Sequence, residues 1–191
     1  MLRPRASFLA TVEQRRAGGG AWVLLRRPIQ LGLIFGAFVS FTTTGRLTLR
    51  LLLDGLVFWS FIPAMNVAVG LALARYSPAR LGASRTTDLL FATFGPWMVW
   101  MLAVSGLAAF RPGTVSDPWS VPAWLFPSSV LAAMVWSAWI QHRFHRVALG
   151  VSPIRAVLLL GSLKLLVWGA IVAWFALTDQ IEPRLPQLLE F

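Results

Sequence analysis

The apolar stretch over residues 51–74 constrains the fold of this chain more than any other feature. Its sequence, LLLDGLVFWSFIPAMNVAVGLALA, has 24 residues and a single charge, on Asp54. A helix of that length extends roughly 36 Å at about 1.5 Å per residue, which is enough to cross the roughly 30 Å hydrocarbon core of a bilayer. The stretch therefore predicts a transmembrane helix.

Four other apolar stretches predict further spans, at residues 29–44, 88–110, 122–140 and 154–177. The composition agrees, because 57% hydrophobic and 13% charged residues leave too little charge to cover a soluble domain. We expect an all-α fold, a polytopic transmembrane helical bundle of about five spans over residues 29–177. Residues 1–28 would form a basic cytoplasmic or interfacial leader without a cleaved signal, and residues 178–191 a short outer tail.

The basic residues predict the orientation of this bundle. Eleven arginines fall in the leader and in the second and fourth connections and a twelfth, Arg155, lies at the start of the fifth span, whereas four fall in the first and third connections and the tail. The positive-inside rule then places the N-terminus in the cytoplasm and the C-terminus outside. Sixteen of the 17 basic residues are arginine, a bias typical of bacterial coding sequences, so we expect a multi-pass protein of the bacterial cytoplasmic (inner) membrane.

The net charge of +10 does not indicate a nucleic-acid partner. The arginines lie between apolar spans and form no stripe interleaved with stacking aromatics, as a nucleic-acid surface would. The expected partner is the lipid bilayer itself. Four arginines of the leader are candidates for binding anionic lipid headgroups: Arg15, Arg16, Arg26 and Arg27.

The first predicted span carries small residues at every fourth position. They share one helix face, which allows another backbone to approach closely: Gly32, Gly36, Ser40 and Thr44. Two interpretations follow. The face could pack within the chain's own bundle, or it could join a second copy or another membrane protein as a homo-oligomer or hetero-complex interface.

Three polar side chains fall within predicted spans. A charge in hydrocarbon needs water, a partner or a neutral state, which makes Asp54 and Lys164 candidates for a functional pair. The alternative is a local pair of Asp54 with Arg50, four residues earlier on the same helix face. Asn66 is predicted to bond a facing helix or a carbonyl freed by a kink at Pro63. Pro96 predicts a second kink, in the third span.

Candidate chemistry is sparse. His142 and His145 lie three residues apart at the inner end of the fourth span, but no acid or cysteine nearby in sequence completes a metal site. The chain has no cysteine and no metalloprotease, hydrolase or phosphate-loop motif. We therefore expect no cofactor and no enzymatic activity.

Residues 74–96, ARYSPARLGASRTTDLLFATFGP, resemble the Yip family of five-span Rab-interacting membrane proteins, which have many bacterial relatives. In that family a basic inner loop follows the second span and precedes a helix that ends in a small residue and proline. Residues 136–160, with GVSPIRA, are similar to the family's connection between spans four and five, and LRRP at residues 25–28 resembles its entry to the first span. The family's eukaryotic N-terminal domain has no counterpart here. The resemblance implies a non-enzymatic membrane factor, either an adaptor or a protein that shapes the bilayer.

The sequence thus supports three hypotheses of function. The first is a Yip-like scaffold, adaptor or accessory subunit anchored in the membrane. The second is a small transporter or channel subunit that uses Asp54, Asn66 and Lys164. The third is a membrane-embedded enzyme with His142 and His145 on its inner face.

Overall fold

The computed structural model describes residues 21–76, 78, 81–110 and 125–181. Within those residues the regular structure is entirely helical, as predicted. The elements follow in the order α1 (Ala21–Thr44), α2 (Leu49–Trp59), α3 (Phe61–Tyr76), α4 (Ala83–Ala92), α5 (Gly95–Phe110), α6 (Leu125–Arg143), a π-helix (Phe144–Ala148) and α7 (Pro153–Ile181). Arg15 and Arg16, two of the predicted headgroup ligands, lie outside the described residues.

Two to four parts of this bundle are long and apolar enough to cross a membrane. Two are single helices, Leu24–Thr44 within α1 and Pro153–Thr178 within α7. The other two are bent pairs, α2 with α3 and α4 with α5, each of which counts as one span if the two halves cross together. The predicted fourth span falls on α6, which is less apolar because Ser128, Ser129, Gln141 and His142 lie on it.

The first span is longer than predicted. The sequence assigned residues 1–28 to the leader and began the first span at residue 29, but α1 begins at Ala21 and continues through Pro28. Proline inside a helix removes one hydrogen bond, here to the carbonyl of Leu24, without ending the helix. The part of α1 from Leu24 to Thr44 has 21 residues. It is therefore long enough to cross a membrane without residues of the connection that follows.

The small-residue face of α1 packs on α2 of the same chain. A Cβ added at Gly36 would collide with the backbone carbonyl of Leu52. A Cβ added at Gly55 would lie 2.9 Å from Cβ of Val39 and 3.0 Å from Cα of Gly36. The two backbones therefore meet where neither residue has a side chain. This contact favours packing within the bundle over the interface with a second copy.

A tight turn fixes this antiparallel pair. Gly45 has φ 69°, a left-handed conformation that suits glycine, and its N–H donates to the carbonyl of Phe41 at 2.8 Å. The buried Ser40 hydroxyl accepts the N–H of Thr48 at 2.8 Å and donates to the carbonyl of Arg46 at 2.9 Å. Ser40 therefore satisfies the backbone of the connection and the start of α2.

The helix axis bends at two places, each close to a proline for which the sequence predicted a kink, Pro63 or Pro96. The axis turns by 40° between α2 and α3, three residues before Pro63, and by 46° between α4 and α5, just before Pro96. A proline ring clashes with the carbonyl four residues earlier and cannot donate to it. The backbone at the second bend tightens accordingly, since Thr93 and Phe94 donate to carbonyls only three residues back, at 3.0 and 3.1 Å.

The short helix α4 lies inside the bundle. Every residue from Thr86 to Ala92 is buried, mainly against α1 and α3. Gly70 on α3 permits this approach, because a Cβ there would collide with Thr87. The inner core next to α4 joins Leu89 and Leu90 to side chains of α6, the π-helix and α7. A helix buried all round can keep a polar side chain only if the bundle supplies its partner.

We predict that Gly36→Ala destabilises the fold by about 1–3 kcal/mol, since the new methyl group meets a backbone carbonyl that cannot move aside. Gly106→Ala in α5 is the matched control, because an added Cβ there meets nothing within 4 Å. The control should be neutral or slightly stabilising, because alanine favours the helix. Thermal unfolding in detergent, followed by tryptophan fluorescence, would compare the two, and equal melting temperatures would contradict the crossing described.

Candidate functional site

An aspartate held by two arginines is the most strongly built polar site in the described bundle. Arg26 donates from Nε to Oδ1 of Asp88 and from Nη2 to Oδ2, both at 3.0 Å. Arg27 donates from Nε to Oδ1 at 2.7 Å. The Asp88 side chain is 8% exposed, whereas the two arginine side chains are 41% and 32% exposed. One buried carboxylate is thus bound by two guanidinium groups that reach the surface.

This site gives Arg26 and Arg27, which the sequence assigned to lipid headgroups, a partner within the chain. Their guanidinium groups bind Asp88, 62 and 61 residues away in the chain, and they tie α1 to α4. Sequence reasoning treated Asp88 only as the first residue of a span. One feature of the sequence could have revealed this site: Asp88 and Glu13 are the only acids within or next to the arginine-rich segments predicted to lie inside.

The end of the bundle that the sequence predicts to face the cytoplasm, which we call the inner end, is basic at its surface. Arg75 lies in the last turn of α3, Arg146 in the π-helix and Arg155 in the first turn of α7, and all three are exposed. Hydrophobic contacts bring these three elements together, since Leu73 of α3, Val147 of the π-helix and Leu163 of α7 share one hydrophobic core. Among the described residues at this end, the single acid is Asp88, which is buried and already bound. The surface therefore carries positive charge without a matching acid.

A column of buried polar side chains follows one face of α6 into the π-helix. Ser137, Gln141 and His145 recur at every fourth residue, and each is at most 1% exposed. Ser137 donates to the carbonyl of Thr93 at 3.1 Å, which satisfies backbone at the bend between α4 and α5. The Gln141 Oε1 and His145 Nδ1 atoms find no hydrogen-bond partner among the described residues. π-Helical turns of this kind often occur at functional sites.

His145 is held in its neutral form. Burial lowers its pKa to about 4, the nearby charge of His142 lowers it as well, and a hydrogen bond with the backbone of Ala156 acts in the opposite direction. His142 itself is only half-buried. Over the described ranges, no group of three or more His, Cys, Asp or Glu side chains could hold a metal ion. The two histidines therefore have different surroundings despite their short spacing.

The three polar residues predicted within spans are not brought together. Asp54 lies 3.8 Å from Nε of Arg50, and both side chains are exposed, at 61% and 91%. Asn66 is buried and donates to the carbonyl of Ile62 at 2.9 Å, one turn earlier in its own helix. Lys164 lies on the wall of a partly open cavity. Within the described part of the chain, no hydrogen bond or ion pair joins any two of Asp54, Asn66 and Lys164.

That cavity, which we call the α7 cavity, has a volume of about 360 Å³ and lies between α7 and the rest of the bundle. Its wall is mostly aromatic and aliphatic, and its polar members are Gln141 and Lys164. The lining side chains are Leu31, Phe35, Phe38, Trp59, Ile62, Phe94, Trp97, Trp100, Met101, Met134, Gln141, Leu163, Lys164, Val167, Trp168, Ile171 and Phe175. Sequence reasoning placed Lys164 in a span but had no means of finding the wall around it.

Aromatic packing fixes α7 at its outer half, beside the bend between α2 and α3. The rings of Phe61 and Trp174 stack with centroids 5.0 Å apart. The rings of Trp59 and Phe175 meet edge to face at 5.8 Å, and both also line the α7 cavity. At its inner half α7 joins the core through Leu163 and Val167. The cavity therefore lies between two regions where α7 is attached.

Comparisons of the chain with family models, with curated proteins and with solved structures each found no match. The function is therefore argued from the site.

We predict that Asp88→Asn costs about 2–3 kcal/mol of stability, because it removes the carboxylate between two guanidinium groups that are themselves partly buried. Asp54→Asn is the matched control, since it breaks an exposed pair that contributes about 0–1 kcal/mol. Chemical unfolding in a mixed micelle would measure both variants. Equal stabilities of the two would contradict the structural importance of Asp88.

We predict that the free energy of unfolding decreases in acid because His145 is buried in its neutral form. Its pKa is about 4 in the folded chain and 6.5 unfolded, so the unfolded state binds the proton first as the pH falls. Stability should therefore decrease from about pH 6.5 and level off near pH 4, by at most about 3 kcal/mol from this group. The difference between wild type and His145→Gln should shrink over that interval, whereas His142→Gln should keep the wild-type trend. A constant difference across the interval would contradict the burial of a neutral His145.

Proposed function

We propose that the chain crosses the bacterial cytoplasmic membrane five times, with its N-terminus inside and its C-terminus outside. The support for α6 as a crossing comes from its direction along α5. Near its start Ser129 accepts the indole N–H of Trp100 at 3.1 Å, and eight residues later Ser137 bonds the carbonyl of Thr93. As the chain advances along α6, its partners move back along α5 toward α4. Helix α6 thus runs antiparallel to α5 and returns to the end that carries the exposed arginines.

The cysteine-free sequence allows this topology to be tested with single exposed cysteines. Leu47→Cys and Phe110→Cys should react with a membrane-impermeant maleimide in intact cells, after permeabilisation of the outer membrane alone. Tyr76→Cys and Ser152→Cys should react only when the inner membrane is opened. If Ser152→Cys reacts from the same side as Phe110→Cys, then α6 does not cross and the five-span proposal fails.

Within this topology, the function with the best support is that of a non-enzymatic scaffold or adaptor of Yip-like type. The observation that carries this proposal is the basic inner end, where Arg75, Arg146 and Arg155 are exposed. Arginines beside a membrane attract anionic headgroups, each by about 1 kcal/mol. A rigid bundle whose inner surface holds anionic lipid can organise its surroundings without turning over a substrate.

The alternative, a small transporter or channel subunit that uses Asp54, Asn66 and Lys164, has weaker support. Asp54 lies exposed beside Arg50, and Asn66 is bonded within its own helix. Only Lys164 faces a cavity. If Asp54→Asn and Lys164→Met each abolished flux in proteoliposomes while leaving the fold intact, the transporter proposal would replace the scaffold.

The scaffold proposal is tested by measuring which lipids the purified protein retains. Native mass spectrometry after extraction from mixed phosphatidylglycerol and phosphatidylcholine bilayers measures the selectivity for the anionic lipid. We predict that Arg146→Gln with Arg155→Gln lowers that selectivity by roughly tenfold, because two exposed charges are lost. Arg46→Gln with Arg50→Gln removes the same formal charge at the other end and should have a smaller effect, since Asp54 already neutralises Arg50.

Two results would contradict the scaffold. One is an equal loss of selectivity in both double variants, which would mean that the inner end has no special role. The other is turnover of a substrate by the purified protein alone.

A further inference from the structure

The α7 cavity has the shape of a site for one extended chain. Four of its lining residues on α7 recur at every fourth position, Leu163, Val167, Ile171 and Phe175, and thus form one continuous stripe. The stripe is roughly 18 Å long at about 1.5 Å per residue. The opposite wall is largely aromatic, and the rings of Trp59 and Phe175 meet at one end.

The polar groups of the cavity gather at its other end. Ile140 and Leu163 share one buried cluster, so their chain neighbours Gln141 and Lys164 lie at the same level. Gln141 is 1% exposed; its Oε1 atom, an acceptor, has no partner among the described residues, and its Nε2 group is the one that can donate to a ligand. Over those same residues, no carboxylate lies within 4.0 Å of the Lys164 ammonium. An ammonium and an amide thus face an otherwise apolar space, where each gains from a polar ligand atom.

We propose that the α7 cavity binds a long-chain fatty acid. The carboxylate accepts hydrogen bonds from the Lys164 ammonium and the Gln141 amide, and the aliphatic chain extends along the stripe toward Trp59. The negative charge of one carboxylate neutralises the positive charge of Lys164, the one cation among the lining residues. This site uses none of the exposed arginines, so it is independent of the proposed scaffold function.

The depth of Lys164 decides between a fatty acid and a lysophospholipid. Lys164 lies eleven residues after Pro153, the first residue of α7, which is roughly 16 Å along the helix. A glycerophosphate headgroup at that depth would bring many polar atoms into the hydrocarbon, each at a cost. A carboxylate is compact and needs only N–H donors, which the Lys164 ammonium and the Gln141 Nε2 group supply.

Direct binding tests the proposal with radiolabelled palmitic acid and the purified full chain in detergent. Unlabelled palmitic acid should compete, whereas methyl palmitate and lysophosphatidylglycerol should compete at least tenfold less well. Lys164→Met should weaken binding by about tenfold to hundredfold, since a charge-assisted hydrogen bond is lost, and Lys164→Arg should restore most of it. Gln141→Leu should weaken binding less, and Arg50→Gln, which removes an exposed charge on α2 outside the cavity, should leave it unchanged.

The position of the ligand is tested by a fatty acid with a photoreactive group at the end of its chain. The cavity predicts cross-links to the stripe or to its aromatic wall, for example at Ile171 or Trp59. A lipid that only surrounds the bundle would react instead with the exposed face of α7, at Leu158, Leu165 and Val172.

Three results would overturn the proposal. Methyl palmitate that competes as well as the acid would mean that the cavity is only an apolar space, and this test needs no variant. Lysophosphatidylglycerol that competes better would assign the site to a phospholipid. Cross-links confined to the exposed face of α7 would place the fatty acid outside the bundle.

Discussion

The buried carboxylate of Asp88 is the interaction on which the rest of the inner bundle depends. A charge in an apolar interior is tolerated only with partners, and both partners lie on the first turns of α1. The helical residues of α1 before Pro28 place Arg26 and Arg27 beside Asp88. The bend before Pro96 leaves α4 packed on α1 at that level while α5 continues along the bundle.

The two ends of the molecule follow from the same arrangement. Because Asp88 is buried with Arg26 and Arg27, it leaves the exposed Arg75, Arg146 and Arg155 without a matching acid among the described residues of that end, which supports the scaffold. Helix α7 is attached through the inner core and through the aromatic contacts of Trp174 and Phe175, and between these regions it leaves a cavity with one ammonium and one amide. The surface charge and the cavity are therefore separate features of one fold.

The parts of this structure that the sequence predicted are those set by local chemistry. Hydropathy predicted the helices, Pro63 and Pro96 predicted the bends, and the spacing of Gly36 and Ser40 predicted a close helix contact. The rest depends on contacts between distant segments. The partner of Asp88 lies about 60 residues away, the wall around Lys164 comes from six helices, and the burial of His145 depends on the packing of the π-helix.

The most direct test of the central claim is a double-mutant cycle between Arg27 and Asp88. The free energies of unfolding of Arg27→Gln, Asp88→Asn and the double variant give the coupling between the two side chains. The structure predicts a coupling on the order of 1–3 kcal/mol, against nearly zero for the same cycle at Arg50 and Asp54. A coupling near zero for Arg27 and Asp88 would mean that the carboxylate does not tie α4 to α1, and the account of the inner bundle would fail.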